Sequence, residues 1–258
     1  MLWNASAINK YAVEASDGPI GTVSDFLFDD ARWTVRWLVI DTGKWLTGRK
    51  VIVPAAALLH PDPATSTFTI KLTRQQVERS PSVGDDQPVS RETEHGLSDH
   101  YELSPYWGAG YLGGYRAQWG STPFPVAGAE ERNREAADAS HDRENPSLRS
   151  FELLTGYHIE SRDGDIGHIE DFLVDDADWS IRFLVIDTRN WWPGKRVLIS
   201  PRSVLEIDWE ERMVTIDADR QKVKDSPAYD PAAILDPTFL RQLHSHYGLP
   251  AEDNGPLA

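Results

Sequence analysis

An internal repeat constrains the fold of this chain more than any other feature of its sequence. Residues 11–81 align without a gap onto residues 157–227, at a constant offset of 146. About 30 of the roughly 70 aligned pairs are identical, and the run 38–42 recurs letter for letter as 184–188. One unit has therefore been duplicated, and we expect two copies of one small fold, each with its own core.

The domain boundaries follow from this repeat. We predict a first repeat with a helical tail at 1–103, a linker at 104–149, and a second repeat with a C-terminal helix at 150–258. The linker begins rich in Gly and aromatic residues and continues as a polar stretch, a composition that does not bury a core.

Each copy has the pattern of several short strands. The pairs Asp17-Gly18 and Asp163-Gly164 are strong turn signals and predict an opening β-hairpin in each repeat. Strict alternation along the next β-rich run predicts a buried face, made of Trp33, Val35, Trp37 and Val39 in the first copy and of Trp179, Ile181, Phe183 and Val185 in the second. The predicted fold class is all-β with short helices: two small antiparallel β-barrels in tandem, whose closure removes exposed edges.

Two helices are predicted at the ends of the repeats. Thr73 followed by Gln76 has the capping-box pattern. The last helix is expected to begin at Asp236 as N-cap, to end before Gly248, and to pack on a barrel through the stripe Phe239, Leu240, Leu243 and Tyr247.

Charge and composition narrow the classes of partner. The chain carries 41 acidic and 26 basic residues, a formal net charge of -15, so it should repel nucleic acids and anionic membrane surfaces. No stretch is apolar over the length of a membrane span, and the start lacks the layout of a signal peptide, so we expect a cytoplasmic protein without membrane insertion. The chain has no cysteine, which excludes disulfides and thiolate sites.

The repeated residues resemble a known family. The pattern consists of Asp17-Gly18-x-Ile20-Gly21-x-Val23, Asp25, Asp29, Trp33, Arg36, the run 38–42, Trp45, Gly48, Arg49 and Val51, with equivalents 146 residues later. It is similar to the PRC-barrel family, named for the cytoplasmic domain of the photosynthetic reaction centre H subunit and also found in a ribosome maturation factor. The resemblance implies a compact barrel of antiparallel strands used for protein contacts, with no shared catalytic residues.

The repeated carboxylates are the first candidates for chemistry. They are Asp25, Asp29, Asp30 and Asp41, with Asp171, Asp175, Asp176 and Asp187 in the second copy. They could form a cation site or an acid/base pair, but Asp also favours turns because its side chain binds nearby backbone amides. His244 and His246 stand two residues apart on the predicted helix and so point to different faces. We therefore expect no catalytic residues, no metal and no cofactor.

The candidate partner-contact residues lie on the β-rich run of each repeat and on the loop that follows it. They are Arg36, Asp41, Trp45 and Leu46, and in the second copy Arg182, Asp187, Trp191 and Trp192. Trp is a common anchor of interfaces, but Trp45 and Trp191 could instead fold back on the barrel end. Arg36 and Asp41, like Arg182 and Asp187, could pair within a barrel or present exposed charges.

These observations favour a non-catalytic interaction or scaffolding module that binds a protein of unknown identity. The two barrels could pair within the chain as a pseudo-dimer, or the chain could form a homo-oligomer. One alternative is a small-ligand or metal-binding protein, or an enzyme, with a site between the barrels. A second, resting on family analogy alone, is a ribosome- or RNA-associated factor, which the acidic charge disfavours.

Overall fold

The structure is a computed structural model that describes residues 1–81, 89, 91–103, 148–188, 195–231 and 237–248. Most of the predicted linker, the candidates Trp191 and Trp192, and the predicted N-cap Asp236 lie outside the described residues.

The two copies have parallel series of elements. The first contains β1 (Leu2–Asn4), α1 (Ala5–Ile8), β2 (Ala12–Ala15), β3 (Gly18–Asp29), β4 (Thr34–Asp41), β5 (Lys50–Pro54), the 3₁₀-helix η1 (Ala55–Ala57), β6 (Thr67–Thr69), α2 (Arg74–Glu78) and α3 (Arg91–His100). The second contains β7 (Leu148–Ser150), α4 (Phe151–Leu154), β8 (His158–Ser161), β9 (Gly164–Asp175), β10 (Ile181–Asp187), β11 (Arg196–Ile199), the 3₁₀-helix η2 (Pro201–Ser203), β12 (Val204–Asp208), β13 (Met213–Ile216), α5 (Arg220–Asp225) and α6 (Pro237–Tyr247). The first two residues of β7 fall within the interval predicted as linker.

The strands form two sheets of mixed orientation. One has the order β5-β4-β3-β2-β6 and the other β11-β10-β9-β8-β13-β12. The prediction of purely antiparallel sheets is wrong, because β2 pairs with β6 and β8 with β13 in parallel. These partners are reached through long connections, whereas the adjacent strands joined by short turns are antiparallel. Among the described residues, the two end strands of each sheet do not pair with each other, so the strand order stays open.

A β-bulge changes which side chains of β4 face the main core. Phe28 pairs with Val35 and Leu27 with Trp37, so Arg36 is the extra residue between two pairs. Val35 therefore faces the main core, while Trp37 lies on the opposite face of the sheet. The predicted single face is wrong for this reason. A register shift at Arg182 in β10 repeats the feature in the second copy.

The helices at the end of each repeat cover that opposite face. Trp37 and Val39 belong to a second cluster with Leu97 of α3, and Phe183 of β10 lies 5.9 Å from the ring of His244 in α6. Both faces of the sheets are consequently buried. The predicted stripe on α6 is confirmed: Leu243 and Tyr247 are buried, and Phe239 and Leu240 pack against the core.

The turn motif of each repeat joins the opening hairpin to the helix that follows the sheet. The carboxylates of Asp17 and Asp163 each accept the first backbone N–H of the following helix, from Arg74 and Arg220, at 2.7 Å. Gly21 is required by close packing, because a Cβ there would lie 2.1 Å from the carbonyl oxygen of Asp41. The capping box at Thr73 is present as predicted.

Candidate functional site

The two repeats exchange their first strands. β1, at the start of the first repeat, pairs with β9 of the second, with Leu2 opposite Asp175 and Asn4 opposite Leu173. β7, at the start of the second repeat, pairs with β3 of the first in the same register, since Leu148 lies opposite Asp29 and Ser150 opposite Leu27. We call residues 2–8 the first exchange segment and residues 148–154 the second.

A buried carboxylate in each repeat holds the exchange segment that comes from the other repeat. Asp25, on β3, accepts a hydrogen bond from the Ser150 hydroxyl and another from the Glu152 backbone N–H at 3.2 Å. It also accepts the backbone N–H of Phe26 at 2.8 Å. Asp25 thus caps the first turn of α4, a helix that belongs to the opposite repeat.

Asp171 performs the same task in the second repeat. This residue, on β9, accepts both the backbone N–H of Ser6, at 3.0 Å, and the Ser6 hydroxyl. The backbone N–H of Phe172 donates to it at 2.8 Å, as Phe26 does to Asp25. The two carboxylates are therefore equivalent caps for the two exchanged helical turns.

Burial controls the protonation of these two carboxylates. Desolvation raises the pKa of Asp25 above its usual value, although the hydrogen bonds from Ser150 and from backbone amides oppose the increase. Desolvation raises the pKa of Asp171 in the same way, against the hydrogen bonds from Ser6 and Phe172. The capping hydrogen bonds reduce the cost of burial without removing it.

A second pair of polar contacts lies at the outer end of each exchange segment. The indole N–H of Trp3 donates to Asp176 at 2.9 Å, and the side chain of Arg149, at the equivalent position, donates to Asp30 at 3.1 Å. Arg149 also lies over the ring of Trp209, 3.9 Å from its centroid. Different side chains thus bind the same carboxylate position in the two repeats.

The two sheets meet at a pseudo-two-fold axis. Thr34 and Ser180, which are equivalent residues, form an antiparallel bridge. The backbone N–H of Val35 donates to the carbonyl of Trp179 at 2.8 Å, and the N–H of Ile181 donates to that of Trp33 at 2.7 Å. This reciprocity is the mark of an isologous contact, in which equal surfaces pair with each other.

Aromatic side chains from both repeats fill the core beside this axis. Phe151 of α4 stacks on Phe172 of β9 with ring centroids 4.2 Å apart, and it also contacts Phe26 and Phe28 of β3. Trp179 lies 6.4 Å from Phe26. The two repeats therefore share one hydrophobic core.

The predicted contact loop of the first repeat is compact and partly exposed. Trp45 and Leu46 are half-buried and pack against the core, and the guanidinium of Arg74 lies 4.8 Å from the Trp45 ring centroid. The Thr42 hydroxyl donates to the carbonyls of Leu46 and Arg49, which fixes the shape of the loop. Lys44, Thr47 and Gly48 are exposed around it.

The candidate arginines pair with carboxylates of the turn that precedes their strand. Arg36 pairs with Asp29 at 3.4 Å, and Arg182 pairs with Asp175 at 3.2 Å and with Asp178 at 3.0 Å. Each Arg is the bulge residue of its strand, so its side chain reaches the turn before the strand. Asp41 is exposed and accepts the Gly43 N–H at 2.8 Å, whereas its equivalent Asp187 is buried.

The remaining candidates have structural contacts. His100 and His246 occupy equivalent helix ends and contact the carbonyls of Gln76 and Lys222, at 2.9 and 2.7 Å. Asp29 accepts the backbone N–H groups of Ala31 and Arg32, which is the turn role expected for Asp. Within the described parts of the chain, no three His, Asp or Glu side chains are grouped to hold a metal ion.

The exchange segments were missed by the sequence reasoning. Residues 2–8 and 148–154 obey the offset of 146, but Leu2 and Leu148 are their single identical pair. The available signal was the offset of 146, which continues from the start of the aligned repeats back to these two segments. The roles of Asp25 and Asp171 depend on long-range contacts, so their place in the turn pattern could not reveal them.

Both repeats match the model of one protein family. The family model of the PRC-barrel domain matches residues 5–77 and 154–223, which together cover more than half of the chain. No curated protein matches the chain. None of the helices in the described ranges combines the length and the apolar character needed to cross a bilayer.

Proposed function

Since the chain belongs to the PRC-barrel domain family, we propose that it is a non-catalytic scaffolding module whose two fused barrels present a rigid surface to a protein partner. The observation that carries the proposal is the use of Asp25 and Asp171. Each of these repeated carboxylates accepts three hydrogen bonds from the protein itself. Both carboxylates therefore serve to join the two repeats.

The loop at residues 44–48 is the surface we assign to the partner. Its backbone is held by the hydrogen bonds of Thr42, so it loses little conformational freedom on binding. Trp45 offers a partly exposed aromatic face, and Arg74 beside it supplies a positive charge on an otherwise acidic protein. Trp and Arg are both enriched among the residues that contribute most to interface energies.

The test is quantitative capture of partners from the native host with a matched pair of variants. Thr47→Arg adds a bulky side chain to the exposed loop without touching the core. Ala56→Arg adds the same side chain at an exposed position outside the loop, where the second repeat naturally carries Arg202. We expect proteins that bind the wild type and Ala56→Arg to be lost with Thr47→Arg.

Two results would contradict the proposal. Equal capture by both variants would remove the loop from the interface. Capture of no specific protein by the wild type would remove the interaction role and favour the small-ligand alternative.

A further inference from the structure

The contacts that join the two repeats follow the same backbone register and use the same Asp positions in both directions. Each exchange segment adds a strand in the same register, delivers one hydroxyl and one helix N–H to a buried Asp, and places one donor on a second Asp. The surface that each exchange segment occupies, which we call its groove, is therefore complete on the opposite repeat and needs only that segment.

The described contacts that join the two repeats are all non-covalent. The chain passes from one repeat to the other once, through residues 104–147, while the exchanged strands and the bridge at Thr34 and Ser180 are non-covalent. A groove on one molecule thus meets an identical ligand on any other molecule of the same protein.

We infer that the exchange surface also takes a second copy of this chain: the first repeat of one molecule pairs with the second repeat of another, and the remaining two repeats pair likewise. The product is a closed dimer with two complete exchange interfaces. It buries the same surfaces as the monomer, so the two forms differ mainly in the entropy of bringing the repeats together. This inference does not depend on the proposed function.

Protein concentration decides between the two forms. Two binding modules linked in one chain generally meet at an effective concentration of about 1 mM, so pairing within one chain is favoured at lower protein concentrations. If the repeats choose partners during folding, about 0.1 per cent of chains should be exchanged after refolding at about 1 µM, and about half at about 1 mM. The choice persists afterwards, because releasing a segment opens the shared core around Phe151.

The absence of cysteine from the chain makes a direct test available. Thr34 and Ser180 are half-buried and directly opposite, with hydrogen bonds only on either side of the pair. The Cα atoms of such a non-hydrogen-bonded pair are about 4.5 Å apart, within the range of about 4.4–6.8 Å that a disulfide spans. The double variant Thr34→Cys/Ser180→Cys should therefore record which repeats have paired.

The variant is refolded under reducing conditions at about 1 µM and at about 1 mM, diluted, oxidised, and separated without reductant. We expect a monomer with an internal disulfide at the low concentration and a large disulfide-linked dimer fraction at the high one. Dimer absent at both concentrations, or equally abundant at both, overturns the inference.

Two controls keep the test specific. Thr34→Cys alone places no cysteine opposite another in the assigned pairing, so a linked dimer from this variant would show that first repeats pair with each other and would overturn it. Sedimentation of the wild-type chain, refolded at the same two concentrations, checks the dimer without any substitution. A wild type that remains monomeric after refolding at about 1 mM contradicts the inference independently of the disulfide.

Discussion

The first and second exchange segments occupy equivalent positions but hold the opposite repeat with different side chains. The hydroxyl that reaches the buried Asp comes from Ser6, inside the helical turn, in one segment, and from Ser150, two positions earlier in the alignment, in the other. Ala5 of the first segment corresponds to Phe151 of the second. The comparison teaches that the exchanged backbone and the carboxylate cap are the fixed requirements, while each segment meets them with its own chemistry.

Removing Phe151 tests whether the second segment supplies most of the shared core. Phe151→Ala leaves a cavity against Phe172, Phe26 and Phe28, so we expect the free energy of unfolding to fall by about 3–5 kcal/mol. Urea denaturation measures the change. The control is Leu153→Ala on the same turn, at a side chain 37% exposed, which should cost less than about 1 kcal/mol. Equal costs for the two variants would mean that the aromatic cluster does not join the repeats.

Removing the caps tests whether the two segments are equivalent in energy. Asp25→Ala and Asp171→Ala each leave buried donors without their acceptor, so we expect each to lower the free energy of unfolding by about 3 kcal/mol. The same urea experiment measures both. A large effect at one Asp and almost none at the other would contradict the equivalence inferred from their hydrogen bonds.

The outer face of the sheets, where the two repeats carry different residues, offers a test with a smaller expected effect. Trp37 donates to the buried Glu94 at 3.0 Å, and the equivalent residues in the second repeat are Phe183 and Leu240. Trp37→Phe should cost about 1–3 kcal/mol because Glu94 loses this donor, while Trp37→Phe/Glu94→Leu, which copies the second repeat, should recover most of the loss. A double variant less stable than Trp37→Phe in a double-mutant cycle would show that the second repeat's solution does not transfer.

The smallest expected effect is a dependence on pH that both caps share. Burial raises the folded-state pKa of Asp25 and Asp171 above 3.8, so the folded chain holds these protons more tightly than the unfolded chain. Their contribution to stability is complete below pH 3.8 and is lost as pH rises through the raised folded pKa. Relative to Asp25→Asn/Asp171→Asn, the wild type should therefore lose stability as pH increases above 3.8. The measurement is urea unfolding of both proteins over a pH series, and a difference that grows in favour of the wild type would contradict the raised pKa.

The sequence predicted the local features well, because they depend on neighbouring residues. The duplication, the family resemblance, the capping box at Thr73 and the buried stripe of α6 all follow from short-range spacing and periodicity. The bulges at Arg36 and Arg182 reversed the predicted alternation, since an extra residue in a strand leaves no mark in its composition. The candidate site was harder to predict, because its hydrogen bonds join residues of different repeats. Asp25 and Glu152 are separated by 127 positions, and Ser6 and Asp171 by 165 positions.

The exchange of strands also sets the order in which the two repeats can be completed during synthesis. β3 is made early, but the segment that completes it, at residues 148–154, is translated only after the whole first repeat and the connection have been made. Ser6 waits still longer, because Asp171 is translated 165 residues later, which at about 5–20 residues per second takes about 8–33 s. A ribosome that stalls between these points carries a complete first repeat and an unpaired leading strand, so the nascent chain exposes an aggregation hazard at the residues that were made first.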